Sequence, residues 1–259
     1  MNNFLPVNKL DMHRRGWEQV DFVYVTGDAY VDHPSFGAAI ITRVLESKGY
    51  KVAVLSQPDW HSTADFVQFG KPRLGFMITG GNIDSMVAHY TVAKKHRSTD
   101  AYTAGGVMGK RPDRAVTVYS KMIKSIYPDS PVIIGGLEAS LRRFAHYDYW
   151  DDCVHPSILV DSGADLLIFG MGENQVIEIA DRLNNGESVT EIRDVLGTVY
   201  ACDPKDTPYT GVECPSLDNV RSSKKEYAKA ARIQQDEQDH IRGKMIKQKH
   251  GKVMIIQNP

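Results

Sequence analysis

Cysteine is scarce in this sequence: Cys153, Cys202 and Cys214 are its only three, and they stand far apart. That spacing excludes a closely spaced thiolate ligand set and fits reduced thiols in a cytoplasmic protein. Long apolar runs are missing as well, so no segment reads as a membrane-spanning helix, and the first residues do not spell a secretory signal. Neither sign of charge dominates. With 31 lysines and arginines against 32 aspartates and glutamates, the net charge of −1 gives no reason to expect a nucleic-acid or membrane surface. What is present, 259 residues of which 42% are hydrophobic, suffices for a substantial buried core.

The stretch from Asp21 to Gly49 carries the clearest local signal. Phe22 to Val25 form a short β-prone apolar run, the pattern of a parallel strand covered on both faces. Thr26-Gly27-Asp28 supply turn chemistry, Ser35 or Asp32 is placed to cap a helix, and Ala38, Ile41, Thr42 and Leu45 recur at helical spacing. Gly49 stands where a left-handed cap ends that helix. Further strands are expected at Lys51 to Leu55, Leu74 to Thr79, Pro131 to Ile134 and Asp165 to Phe169, each followed by helical material and none by a hairpin signal. The pattern predicts an α/β fold: an open, mainly parallel, Rossmann-like (flavodoxin-like) sheet of about five strands flanked by helices. Residues 1–20 read as a lead-in and 21–200 as the α/β domain. Residues 201–259 read as a connection, a charged helix and a final strand, with Thr198 to Cys202 an edge strand and Thr190 to Leu196 a short helix. The abrupt end of that final strand suggests continuation beyond residue 259.

In open parallel sheets, ligands bind beyond the carboxyl ends of the strands. Small or polar residues gather at those exits here, making Gly27, Gly80, Gly81, Gly135, Gly136, Glu138, Gly170, Gly172 and Glu173 candidates for a crevice lining. Strand-to-helix turns favour glycine in any case. Asp28, Asp32 and His33 fall in one loop, where two carboxylates and an imidazole could bind a metal, do acid/base work or cap the following helix. Glu138, Arg142 and His146 share one helical face if residues 141–156 continue as a helix. The basic loop 91–114, around Gly105 and Gly106, reads either as a solvated loop or as a flap over an anionic cofactor. Gly170-x-Gly172 covers only part of a dinucleotide fingerprint, with Glu173 in the way of a phosphate. Asp11-x-His13-x-x-Gly16 spells the string by which cobalamin domains offer a cobalt ligand. It precedes the first strand instead of following it, so His13 is expected at the surface.

The strings VTGDAYVDHPSFGAAIITRVLESKGYKVAVLSQPDW, GGNIDSMV, IIGGLEASLRRFAHYDYWDD and DLLIFGMGENQVIEIA resemble the N-terminal region of YgiQ-type radical SAM proteins. More distantly, the layout is similar to the cobalamin-binding domains that precede radical SAM barrels. The resemblance implies a full-length enzyme with a [4Fe-4S] cluster and S-adenosylmethionine, both belonging to a C-terminal barrel outside these residues. It implies no metal on this chain, which alone is expected to be inactive. Its partners would be that barrel and a small-molecule or macromolecular substrate. A stand-alone cobalamin- or nucleotide-binding domain and a purely structural or interaction module are the alternatives.

Overall fold

The computed structural model describes residues 4–239 and 241–259. Residues 1–3 of the expected lead-in, and position 240 within the charged stretch, lie outside them. Helix α1 (Lys9–Arg14) is capped by Asn8, whose side chain accepts from the Asp11 amide, and it leads into strand β1 (Phe22–Thr26). There follow α2 (Gly37–Ser47), β2 (Val52–Ser56), β3 (Gly75–Thr79), α3 (Ser85–His89), α4 (Ala115–Ile126), β4 (Val132–Gly135) and α5 (Gly136–Leu141). The second part contains β5 (His146–Asp148), β6 (Cys153–His155), α6 (Ile158–Ser162), β7 (Leu166–Ile168), α7 (Glu173–Asn184) and β8 (Thr198–Cys202). It continues through β9 (Val212–Cys214), α8 (Leu217–Ser222), α9 (Lys224–Asp236), β10 (Ile246–His250) and β11 (Val253–Gln257).

The α/β class stands, but the main sheet has nine strands, in the order β2-β1-β3-β4-β7-β8-β11-β10-β9, where the sequence indicated about five. The five expected strands β1, β2, β3, β4 and β7 form its parallel part, with the winding direction reversing between β1 and β3. Every residue of β1 is buried, which explains its lack of alternation. Successive side chains enter different cores. Val25, Ile78 and Ile134 pack with Tyr119 and Ile123 of α4, whereas Tyr24, Met77 and Ile133 face Leu45 of α2 and Val176 and Ile179 of α7. Each fully buried side chain of this size contributes roughly 1.5–3 kcal/mol, so both helical layers are needed to hold the sheet.

The added strands come from the segment expected as a connection and charged helix. β8 pairs antiparallel with both β7 and β11, so it lies inside the sheet and is not an edge. β10 and β11 form an antiparallel hairpin, and β9 joins β10 in parallel. β10 reads as polar, IKQKH, yet Lys247, Gln248 and His250 are buried because each finds partners. Gln248 accepts from the Ala145 amide and donates to the Pro215 carbonyl, and the Lys247 ammonium bonds the Pro208 carbonyl. Residues 141–156 also depart from expectation: α5 stops at Leu141, and a second hairpin, β5 with β6, replaces the helix. Thr190 to Leu196 forms turns rather than a helix.

Candidate functional site

Parallel register sets the floor of a crevice at the strand exits. Tyr24 aligns with Met77 and Met77 with Ile133, while one step further out Thr26 aligns with Thr79 and Thr79 with Gly135. The inner row is large and the outer row is small. The space left above the outer row is a cavity of about 310 Å³, walled by Ile40 and Ile41 of α2 and by Val176 of α7, with Ile168 on its floor. Val31, Leu137 and Met171 line it and are exposed. Of the residues singled out at the exits, Asp28, Gly81, Gly135, Gly136, Gly170, Gly172 and Glu173 line the cavity; Gly27, Gly80 and Glu138 do not.

Those three have a different task. A side chain on Gly27 would fall on the Gly80 carbonyl, and one on Gly80 would fall on the Glu138 carboxylate. Glu138 is fully buried and accepts from the Ser85 amide at 2.9 Å and the Val116 amide at 3.0 Å, capping the first turns of α3 and α4 at once. Gly81 has φ +112°, and a side chain there would meet the Asp28 carboxylate, so close packing alone demands this glycine.

Asp28, Asp32 and His33 are neighbours in sequence without forming a common site. Asp28 is buried; its Oδ2 accepts from the Asn82 amide at 2.7 Å, and its Oδ1 lies 2.9 Å from Arg111 Nη1. Burial raises the Asp28 carboxyl above its ordinary range, against the lowering pull of the Asn82 amide and Arg111. Asp32 pairs with Arg43, whose hydrogen bonds hold its carboxyl below the usual range. His33 is exposed, its Nδ1 accepting from the Ser35 amide. Neither Asp32 nor Ser35 caps α2: Phe36 holds the cap position, and Asn82 Oδ1 accepts from the Gly37 amide. Among the described residues, the group of three acidic, histidine or cysteine side chains with converging ligand atoms is Asp148, Asp151 and His155, and Arg114 already pairs with both carboxylates.

The helical face drawn through Glu138, Arg142 and His146 is broken by the end of α5. Arg142 pairs with Asp84, and His146 lies on β5 with its Nδ1 beside the Phe144 carbonyl. The basic loop is held down by its own cations. Arg111 turns fully inward onto Asp100 and the Gly80 carbonyl, Arg114 onto Asp148, and Arg97 onto the Val87 carbonyl. His13 is exposed on α1, and the adjacent Arg15 reaches Glu46 in the last turn of α2, the end of that helix away from the crevice.

Sequence reasoning passed over Tyr24, counting it only as part of an apolar run. Its side chain is 6% exposed, it lines the cavity, and its hydroxyl makes no hydrogen bond among the described residues. Burial first, then the neighbouring Asp28, pushes its ionisation well above the ordinary phenol range, so the group stays a proton donor. Strand alternation placed it on the same face as Thr26, a signal that becomes informative only once that face is known to be hollow.

A UPF0313 protein of Clostridium perfringens (strain SM101 / Type A) is 56% identical over 260 residues, covering 100% of this chain and 39% of that protein. A UPF0313 protein of Clostridium botulinum (strain ATCC 19397 / Type A) is 52% identical over 257 residues, covering 99% of this chain and 40% of that protein. The chain thus spans about two fifths of the length of these relatives. Among solved structures, the radical S-adenosylmethionine methyltransferase TsrM from Kitasatospora setae, with tryptophan substrate and SAM analog bound, is 19% identical at a TM-score of 0.43. That match covers 70% of this chain and 28% of that one. The family model described as Radical SAM N-terminal matches residues 4–259, and the chain, with its open crevice at the parallel strand exits, belongs to that family.

Proposed function

We propose that this chain is the domain that walls one side of the ligand pocket in a radical SAM enzyme, the [4Fe-4S] cluster and S-adenosylmethionine being held by the part of the protein that its longer relatives possess. The direction of β11 carries this reading. β7 runs with β4, β8 runs against β7, and β11 runs against β8, so β11 ends on the same edge as the crevice. Its end is fastened there: the Gly197 amide bonds the Pro259 carbonyl and Arg143 Nε bonds Gln257 Oε1 at 2.7 Å. Sequence following Pro259 would therefore start beside the mouth, where Leu137 and Met171 offer apolar surface to cover.

The cluster itself does not fit this chain. Cys153 is exposed on β6, whereas Cys202 and Cys214 are buried on β8 and β9, and no group with converging ligand atoms among the described residues includes a cysteine. Three thiolates around one cubane leave an iron open for the cosubstrate, an arrangement these positions do not supply. A cobalamin ligand is not supplied either, because among the described residues no histidine lines the crevice, and His13, exposed on α1, lies two residues from Arg15, which pairs with Glu46 at the far end of α2. In this reading the chain excludes water and shapes the pocket, and the radical step belongs elsewhere.

The test is reconstitution of a full-length relative with iron and sulfide under reducing, anaerobic conditions. Cleavage of S-adenosylmethionine is expected, together with its loss or uncoupling when Leu137 and Met171 are both replaced by aspartate. Absence of any cleavage in a cluster-loaded protein would overturn the assignment.

A further inference from the structure

Resting on the reading of the crevice as half of a ligand pocket, we infer that it takes an uncharged, mostly apolar molecule whose buried end carries a carbonyl or comparable hydrogen-bond acceptor, received by the Tyr24 hydroxyl. Three independent features of the cavity carry this. The first is Tyr24 itself, which lines the cavity and whose hydroxyl makes no hydrogen bond to a described residue. Water in the open crevice can accept its proton, so a ligand that displaces that water has to bring an acceptor of its own to avoid a loss of affinity.

The second is charge. Among the described residues no lysine, arginine or histidine lines the cavity, while Asp28 and Glu173 do. Asp28 is already braced by Arg111 and the Asn82 amide, but the Glu173 carboxylate has no partner among the described residues and stands in the first turn of α7. A phosphate or carboxylate approaching that helix start would meet Glu173 before reaching the backbone amides. Negative ligands are therefore repelled at the place where a nucleotide-binding fold would attract them.

The third is shape and lining. Ile40, Ile41, Ile133, Ile168 and Val176 supply saturated walls around about 310 Å³, at the small end of the range for organic ligands. Tyr24 belongs to the inner row of the strands, below Thr26 and Thr79, so a ligand that reaches it enters with its acceptor leading and its apolar body between the helices.

Titration of the 259-residue chain with two naphthalene dyes separates the possibilities. The neutral ketone prodan is expected to bind saturably with a blue-shifted emission, and the anionic anilinonaphthalene sulfonate is expected neither to saturate nor to displace it. Tyr24→Phe, which removes only the hydroxyl, is expected to weaken prodan about tenfold. In the unsubstituted chain, the infrared carbonyl stretch of bound prodan is expected to fall below its value in hexane. Equal binding of the sulfonate, an unchanged affinity in Tyr24→Phe, or an unshifted carbonyl stretch would overturn the ligand class. Ile41→Trp and, separately, Val176→Trp fill the cavity and are expected to abolish saturable binding; if prodan binds both as before, the crevice is not the site and the pocket reading itself falls.

Discussion

Arg111 Nη1 lies 2.9 Å from Asp28 Oδ1, with side-chain exposures of 0% and 5%, and this contact locks a loop of the chain to the floor of the crevice. The same guanidinium donates to both oxygens of Asp100 at 2.9 and 3.0 Å and to the Gly80 carbonyl at 2.9 Å. One cation thus joins the exits of β1 and β3 to residues 100–111. The loop that looked in sequence like a solvated run or a flap is held by an internal ion group.

Replacing Arg111 with methionine leaves two buried carboxylates facing each other without a cation. Breaking a buried pair in this way costs about 3–5 kcal/mol. Urea unfolding should show a free energy lower by that amount, read as a lower midpoint at unchanged slope, and a loss under about 1 kcal/mol would mean that water reaches the group.

Glu138→Ala removes the acceptor for two helix-start amides, Ser85 and Val116. Each buried donor left unpaired costs about 1–3 kcal/mol, so the variant should lose about 2–6 kcal/mol. Glu138→Gln keeps one acceptor oxygen and should lose less. Equal losses in the two variants, measured by denaturation, would point to shape rather than capping.

Acid should destabilise this protein as the pH falls below about 6.5, through two buried histidines. Burial depresses His146 from 6.5 to about 4, opposed by the Phe144 carbonyl and assisted by Arg142 and His155; burial also depresses His250 to about 4, assisted by Arg221 and His146. Because the unfolded chain binds these protons first, the stabilisation is complete above pH 6.5 and is lost as pH falls through the window to about 4, by at most about 3 kcal/mol per histidine. Unfolding free energies measured at pH 7.5, 5.5 and 4.5 should trace that decline, and His146→Phe should flatten it. A pH-independent stability over the range would show that both rings are solvated.

Asp32 and His33 should be dispensable to chemistry. Asp32 is committed to Arg43 in a partly exposed pair, for which removal costs about 1 kcal/mol or less, and His33 faces solvent. Alanine at either position in a full-length relative should leave S-adenosylmethionine cleavage within about twofold of the parent. A folded variant with cleavage abolished would restore the acid/base reading of this loop.

The parallel half of the sheet was legible in the sequence because burial on both faces writes itself as uninterrupted apolar runs, as in Phe22 to Val25, and because strand-to-helix turns mark their ends with glycine. Gly49 after α2, with φ +88°, was equally local and equally readable. β10 was not, since Lys247, Gln248 and His250 look like surface residues until distant carbonyls and amides meet them. The hairpin at residues 146–155 escaped for the same reason: helical spacing among its aromatics carries no information about where α5 stops.

For the site the division runs along the same line. The chain's own residue order determined which small and polar groups would arrive at one rim, because parallel strands joined by helices deliver their exits to a common edge. Only tertiary packing decided their tasks. It closed Gly27, Gly80 and Glu138 into the framework, spent Asp28 on Arg111 and Asp32 on Arg43, and left Tyr24 on the cavity lining with no hydrogen bond from its hydroxyl to a described residue, since a side chain's partners depend on what is folded against it and not on its neighbours in sequence.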